Sequence, residues 1–90
     1  MKLSEAILKG SIGKNQCVLN YTDDLFNAVC ALGAIARGTG IYPREICSFF
    51  PQLDKRIVNG MRLFDQIAKW NDDERLTFEQ ISTKLKEMGE

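Results

Sequence analysis

The chain has 90 residues, with twelve Lys plus Arg balanced by twelve Asp plus Glu, no histidine, and a sequence pI near 6.3. That length makes one domain, and a balanced charge lacks the strongly basic footprint of a general nucleic-acid binder. The absence of histidine removes the commonest general base and a common metal ligand.

Ser4 to Gly10 has a cap residue at one end and a glycine at the other, which predicts a short helix with Leu3, Ile7 and Leu8 facing the core. Residues 11–21, SIGKNQCVLNY, are rich in turn formers. They read as an ordered loop; a small hairpin over residues 14–21 is the α+β alternative.

The next stretch, residues 22–37, is the expected organising element. Thr22 can cap a helix, Asp23 and Asp24 suit its first turn, and Arg37 and Gly38 suit its end. Between Asp24 and Arg37 the apolar residues go round most of a helix, the pattern of a buried one. It is too short to cross a bilayer, which takes about 20 apolar residues. Pro43 opens a further short helix through Phe50, and Pro51 ends it.

The longest predicted helix covers residues 52–70. Leu53, Ile57, Gly60 or Met61, Phe64, and Ile67 or Ala68 recur at helical spacing, and Gly60 would mark a close helix–helix approach. Residues 71–75 then form an acidic loop. Thr77 with Gln80 is a capping box opening a last helix with Phe78, Ile81, Leu85 and Met88 inward. The fold expected is therefore all-α: a single domain over residues 1–90, four to five helices around the central helix at 22–37.

No catalytic, cofactor or metal residues emerge. Read as a calcium loop from Asn71, the acidic segment has Arg75, Leu76 and Ser82 where an oxygen ligand, a glycine and a glutamate are needed. The pairing of residues 62–76 with Thr77–Ile81 resembles the first two helices of a helix-turn-helix, without a recognition helix to read the major groove. Cys17, Cys30 and Cys47 lack a C-x-x-C spacing and a neighbouring base. An odd count without a signal peptide points to reduced thiols in the cytoplasm.

One stripe has a functional reading. Lys55, Asn59, Arg62, Gln66 and Lys69 fall at i, i+4, i+7, i+11 and i+14 on the long predicted helix, opposite its apolar face. It would suit an acidic protein partner or, as the alternative, a nucleic-acid backbone. The expected function is thus a non-enzymatic protein-interaction module without a membrane segment; the alternative is a nucleic-acid-binding accessory protein using that basic face.

Three sets of residues carry a resemblance: Met1-Lys2-Leu3-Ser4-Glu5-Ala6-Ile7, Cys30-Ala31-Leu32-Gly33-Ala34, and Asn71-Asp72 followed by Thr77-x-x-Gln80-Ile81. Together they make the chain resemble a loosely defined group of small helical proteins of phages, prophages and their bacterial hosts. That resemblance implies a helical fold and no known activity.

Overall fold

The computed structural model describes residues 1–90. The fold is mixed α/β rather than all-α: 58% helix and 11% strand, the strands forming a three-stranded and a two-stranded sheet. The helical-bundle expectation fails at two places, both for reasons of backbone conformation.

Helix α1 (Leu3–Ser11) packs against α2 (Ala31–Thr39) through small residues. A Cβ on Gly10 would fall well under 3.0 Å from the Ala34 carbonyl oxygen, and one on Gly38 equally close to that of Ala6. The pairing of Gly10 with Ala34 and Ala6 with Gly38 makes the helices antiparallel. Gly10 therefore serves packing inside the helix rather than ending it, and Gly13 takes the left-handed conformation (φ 71°) after it. Ser4 lies inside the helix, and its carbonyl accepts a bond from Ser82 Oγ at 2.9 Å. Leu8 is exposed.

The first correction is to the central helix. Residues 22–30 are not α-helical. Strand β1 (Asn15–Gln16), β2 (Thr22–Asp23) and β3 (Ala28–Val29) form a sheet in the order β1-β3-β2. The β1–β3 pair is parallel, Gln16 opposite Val29; the β2–β3 pair is antiparallel, Thr22 opposite Val29. A single 3-10 turn at Asp24–Phe26 ends at Asn27 in the left-handed region (φ 49°), which reverses the chain. The helix starts only at Ala31, with Cys30 Sγ accepting the Gly33 N–H at 3.4 Å. What remains of the expected helix is nevertheless the buried centre: Ala31 to Ala36 are all buried.

The second correction is to the helix expected over 52–70. After the short helices α3 (Ile46–Phe49) and α4 (Gln52–Lys55), β4 (Ile57–Val58) and β5 (Met61–Arg62) pair antiparallel, Val58 opposite Met61. Asn59 (φ 52°) and Gly60 (φ 79°) make the turn. Two positive φ values in an Asn-Gly loop are the pattern of a type I′ hairpin. β-Branched Ile57 and Val58 favour the strand. Gly60 thus provides a turn, and no neighbour lies where its Cβ would be.

Helix α5 (Leu63–Asp72) and helix α6 (Phe78–Glu87) complete the fold. The Thr77–Gln80 capping box forms as expected. Leu3, Ile7, Ile35, Ile46, Leu53, Leu63, Ile67, Ile81 and Leu85 are fully buried, so every helix contributes to one core. No helix is long and apolar enough to cross a membrane.

Candidate docking groove

The basic stripe loses its common face with the long helix. Lys55 ends α4, Asn59 sits in the hairpin turn, Arg62 lies in β5, and Gln66 and Lys69 belong to α5. Arg62 donates to Asp65 at 2.9 Å and to Asp54, pairing with both carboxylates, and its guanidinium lies over the Phe64 ring. Gln66 is 2% exposed, and its Oε1 accepts from Asn59 Nδ2 at 2.9 Å. Only that pair is brought together for a structural purpose. Lys55 and Lys69 are exposed on separate elements.

The arrangement that does form a surface site is elsewhere, and it is built around Asn71. The β1–β3 ladder runs to the bond from Cys17 N–H to Val29 C=O, 3.0 Å. The next bond of a parallel ladder would join Ala31 N–H to the Cys17 carbonyl. Instead the Asn71 side-chain amide is inserted there. Its Oδ1 accepts from Ala31 N–H (3.0 Å) and from Gln16 Nε2 (2.7 Å), while its Nδ2 donates to the Cys17 carbonyl (2.9 Å) and to Asp72 Oδ1 (2.7 Å). All four hydrogen-bonding places of the amide are filled by a side chain 1% exposed. The amide therefore stands in for a peptide group, continuing the ladder and holding the start of α2.

Asp72 extends this anchor by one residue. Its Oδ1 also accepts the Leu19 N–H at 3.1 Å. Leu19 is held at φ 66° with its side chain 83% exposed. A left-handed backbone is costly for a leucine, about 1–3 kcal/mol where such conformations persist.

Between this loop and α5 lies a groove of about 450 Å³. Leu19, Tyr21, Cys30 and Leu32 form one wall, Phe64 and Ala68 the other, and Asn71 and Asp72 close one end. Burial pushes the Tyr21 phenol and the Cys30 thiol above their ordinary pKa, with the Cys30–Tyr21 charge interaction adding to the phenol's rise. Both are neutral at physiological pH, which leaves Asp72 as the one charged group lining the groove. Further along the same segment, after β2, Leu25 is 86% and Phe26 65% exposed. Four of the ten exposed large hydrophobics of the chain thus fall within residues 19–26, and two of them, Leu19 and Tyr21, line the groove.

Sequence reasoning placed Leu25 and Phe26 in the core because they share a helical pattern with residues 28–36. The signal it passed over was Asn27-Ala28-Val29, a turn former followed by a short apolar pair. No group of acidic or cysteine side chains is arranged to hold a metal ion. Compared with family models, curated proteins and solved structures, the chain matches none.

Proposed function

We propose that the protein is a non-enzymatic protein-interaction module, and that the groove between residues 19–32 and α5 is where it receives a partner. The observation that carries this reading is Leu19. Its backbone is strained, its N–H is fixed by Asp72, and its side chain contributes little to the core. Strain in a small domain persists where the surrounding structure imposes it, and such places cluster at binding sites. The site's chemistry supports binding over catalysis: its thiol is pushed towards the neutral form by burial, whereas a nucleophilic cysteine needs an environment that favours thiolate.

The test is site-specific photocrosslinking in the producing cell, from position 19 and, as control, position 86 in a separate hollow beside Leu8 and Ser82. A discrete protein adduct from 19, absent from 86, supports the reading. Equal adducts from both, or none from 19, contradict it. An adduct with nucleic acid would favour a nucleic-acid accessory role instead.

A further inference from the structure

We propose that the segment this groove receives is cationic as well as apolar: a stretch of a partner protein with a large apolar anchor beside a lysine or arginine. The inference rests on the docking reading and specifies its partner. On a chain of zero net charge, two acidic stretches border the groove, one carrying its Leu19–Leu32 wall and the other its Asn71–Asp72 end. Residues 15–36 contain Asp23 and Asp24 and no base; residues 70–74 contain Asp72, Asp73 and Glu74 and no base. None of these five carboxylates is in an ion pair, because the three salt bridges of the fold all involve Arg56 or Arg62.

Of the five, Asp72 lines the groove itself, closing one end of it. Asp72 Oδ1 is occupied by the Leu19 and Asn71 donors, whereas Oδ2 has no partner in the fold. Among the nearby bases, Arg62 lies over the Phe64 ring of the groove wall but is paired with both Asp54 and Asp65. Lys14 Nζ donates to Asn27 Oδ1 at 2.7 Å, and Arg75 Nε to the Asp72 main-chain carbonyl at 2.8 Å, with Arg75 lining a separate hollow beside Gln16 and Val18. The groove therefore offers an apolar floor of Leu19, Tyr21, Leu32, Phe64 and Ala68 with uncompensated negative charge at one end. A neutral apolar segment would fill the floor and leave the Asp72 carboxylate unused. An acidic segment or a nucleic-acid backbone would be repelled by it.

The experiment pans a phage-displayed library of random peptides against the full chain at low salt. Recovered peptides are then synthesised with a fluorescein label and titrated. The expected sequences pair Leu, Phe or Trp with Lys or Arg, bind at least about tenfold more weakly to the Asp72→Asn variant, and weaken as salt rises. Asparagine at 72 keeps an oxygen for the Leu19 N–H, and the salt titration on the unaltered chain gives the same answer should the variant fail to fold. Peptides lost on Leu19→Ser but without basic residues, and indifferent to salt and to Asp72→Asn, overturn this inference and leave the docking reading standing. Peptides indifferent to Leu19→Ser overturn both. A salt-insensitive dimer in sedimentation, dispersed by Leu19→Ser, also overturns the inference, since the occupant would then be a second copy of the chain.

Discussion

Asp72 and Leu19, 53 residues apart, meet through a single hydrogen bond, Leu19 N–H to Asp72 Oδ1 at 3.1 Å. One residue earlier, Asn71 holds the Ala31 N–H in the same way. The end of α5 thus fixes both the loop that exposes Leu19 and the first turn of the most buried helix. The surface site and the core share one polar anchor.

That anchor predicts a large effect from a small change. Asn71→Ala leaves Ala31 N–H and the Cys17 carbonyl without their partner in the interior. Each unmet group costs about 1–3 kcal/mol, so the loss should reach about 3 kcal/mol. For a domain of this size that lowers the melting temperature by at least about 12 °C. Asn20→Ala, at an exposed side chain nearby, should change stability by about 0.5 kcal/mol or less. Thermal melts followed by circular dichroism check both.

Gly60→Ala separates the two descriptions of residues 52–70. Within a continuous helix the change would stabilise by about 1 kcal/mol. In the hairpin it should destabilise by about 1–2 kcal/mol, because alanine pays for a left-handed backbone. A urea titration reads the sign directly.

Gly38→Ala tests the contact between α1 and α2 in the same manner. A solvent-facing helical glycine gains about 1 kcal/mol on replacement by alanine. Here the added methyl meets the Ala6 carbonyl. Overpacking costs about 1–3 kcal/mol or more, so the variant should melt lower than the parent.

These sites also show what the sequence made legible. The Thr77–Gln80 box, Pro43 at the start of its turn, and the buried stretch Ala31–Ala36 were readable because cap, proline and apolar runs act locally. The start of α2 was not, since its cap includes a side chain forty residues away in sequence. The Asn59-Gly60 hairpin was present as a local signal. It was masked by apolar residues at Leu53, Ile57, Phe64 and Ile67 whose spacing happens to match a helix, although Ile57 is exposed. The basic stripe was derived from that same false continuity. The groove itself needed two strands and a helix end to meet, which no spacing rule on one element reports. Cys30–Ala34 and Asn71–Asp72 touch through the Ala31–Asn71 bond.

The thiols give a further check. Burial raises the pKa of Cys17, Cys30 and Cys47 alike, most of all through desolvation. Alkylation by iodoacetamide at neutral pH should therefore be slower at each than for free cysteine, and should accelerate as pH rises past the ordinary thiol pKa of about 8.5. Cys30, the buried one, should react last. Mass spectrometry of timed samples gives the order, and early modification of Cys30 would contradict the burial of the groove floor.

The central claim is that Leu19 is held outward for a partner and not for the fold, and the melting temperature of Leu19→Gly tests it most directly. Glycine accepts φ 66° without strain, and little packing is lost with a side chain so exposed. The expected result is a melting temperature equal to the parent's or a few degrees higher, together with loss of the groove-dependent peptide binding. A fall of about 4–8 °C, the equivalent of about 1 kcal/mol in a domain of this size, would show that the leucine serves the fold, and would contradict the claim.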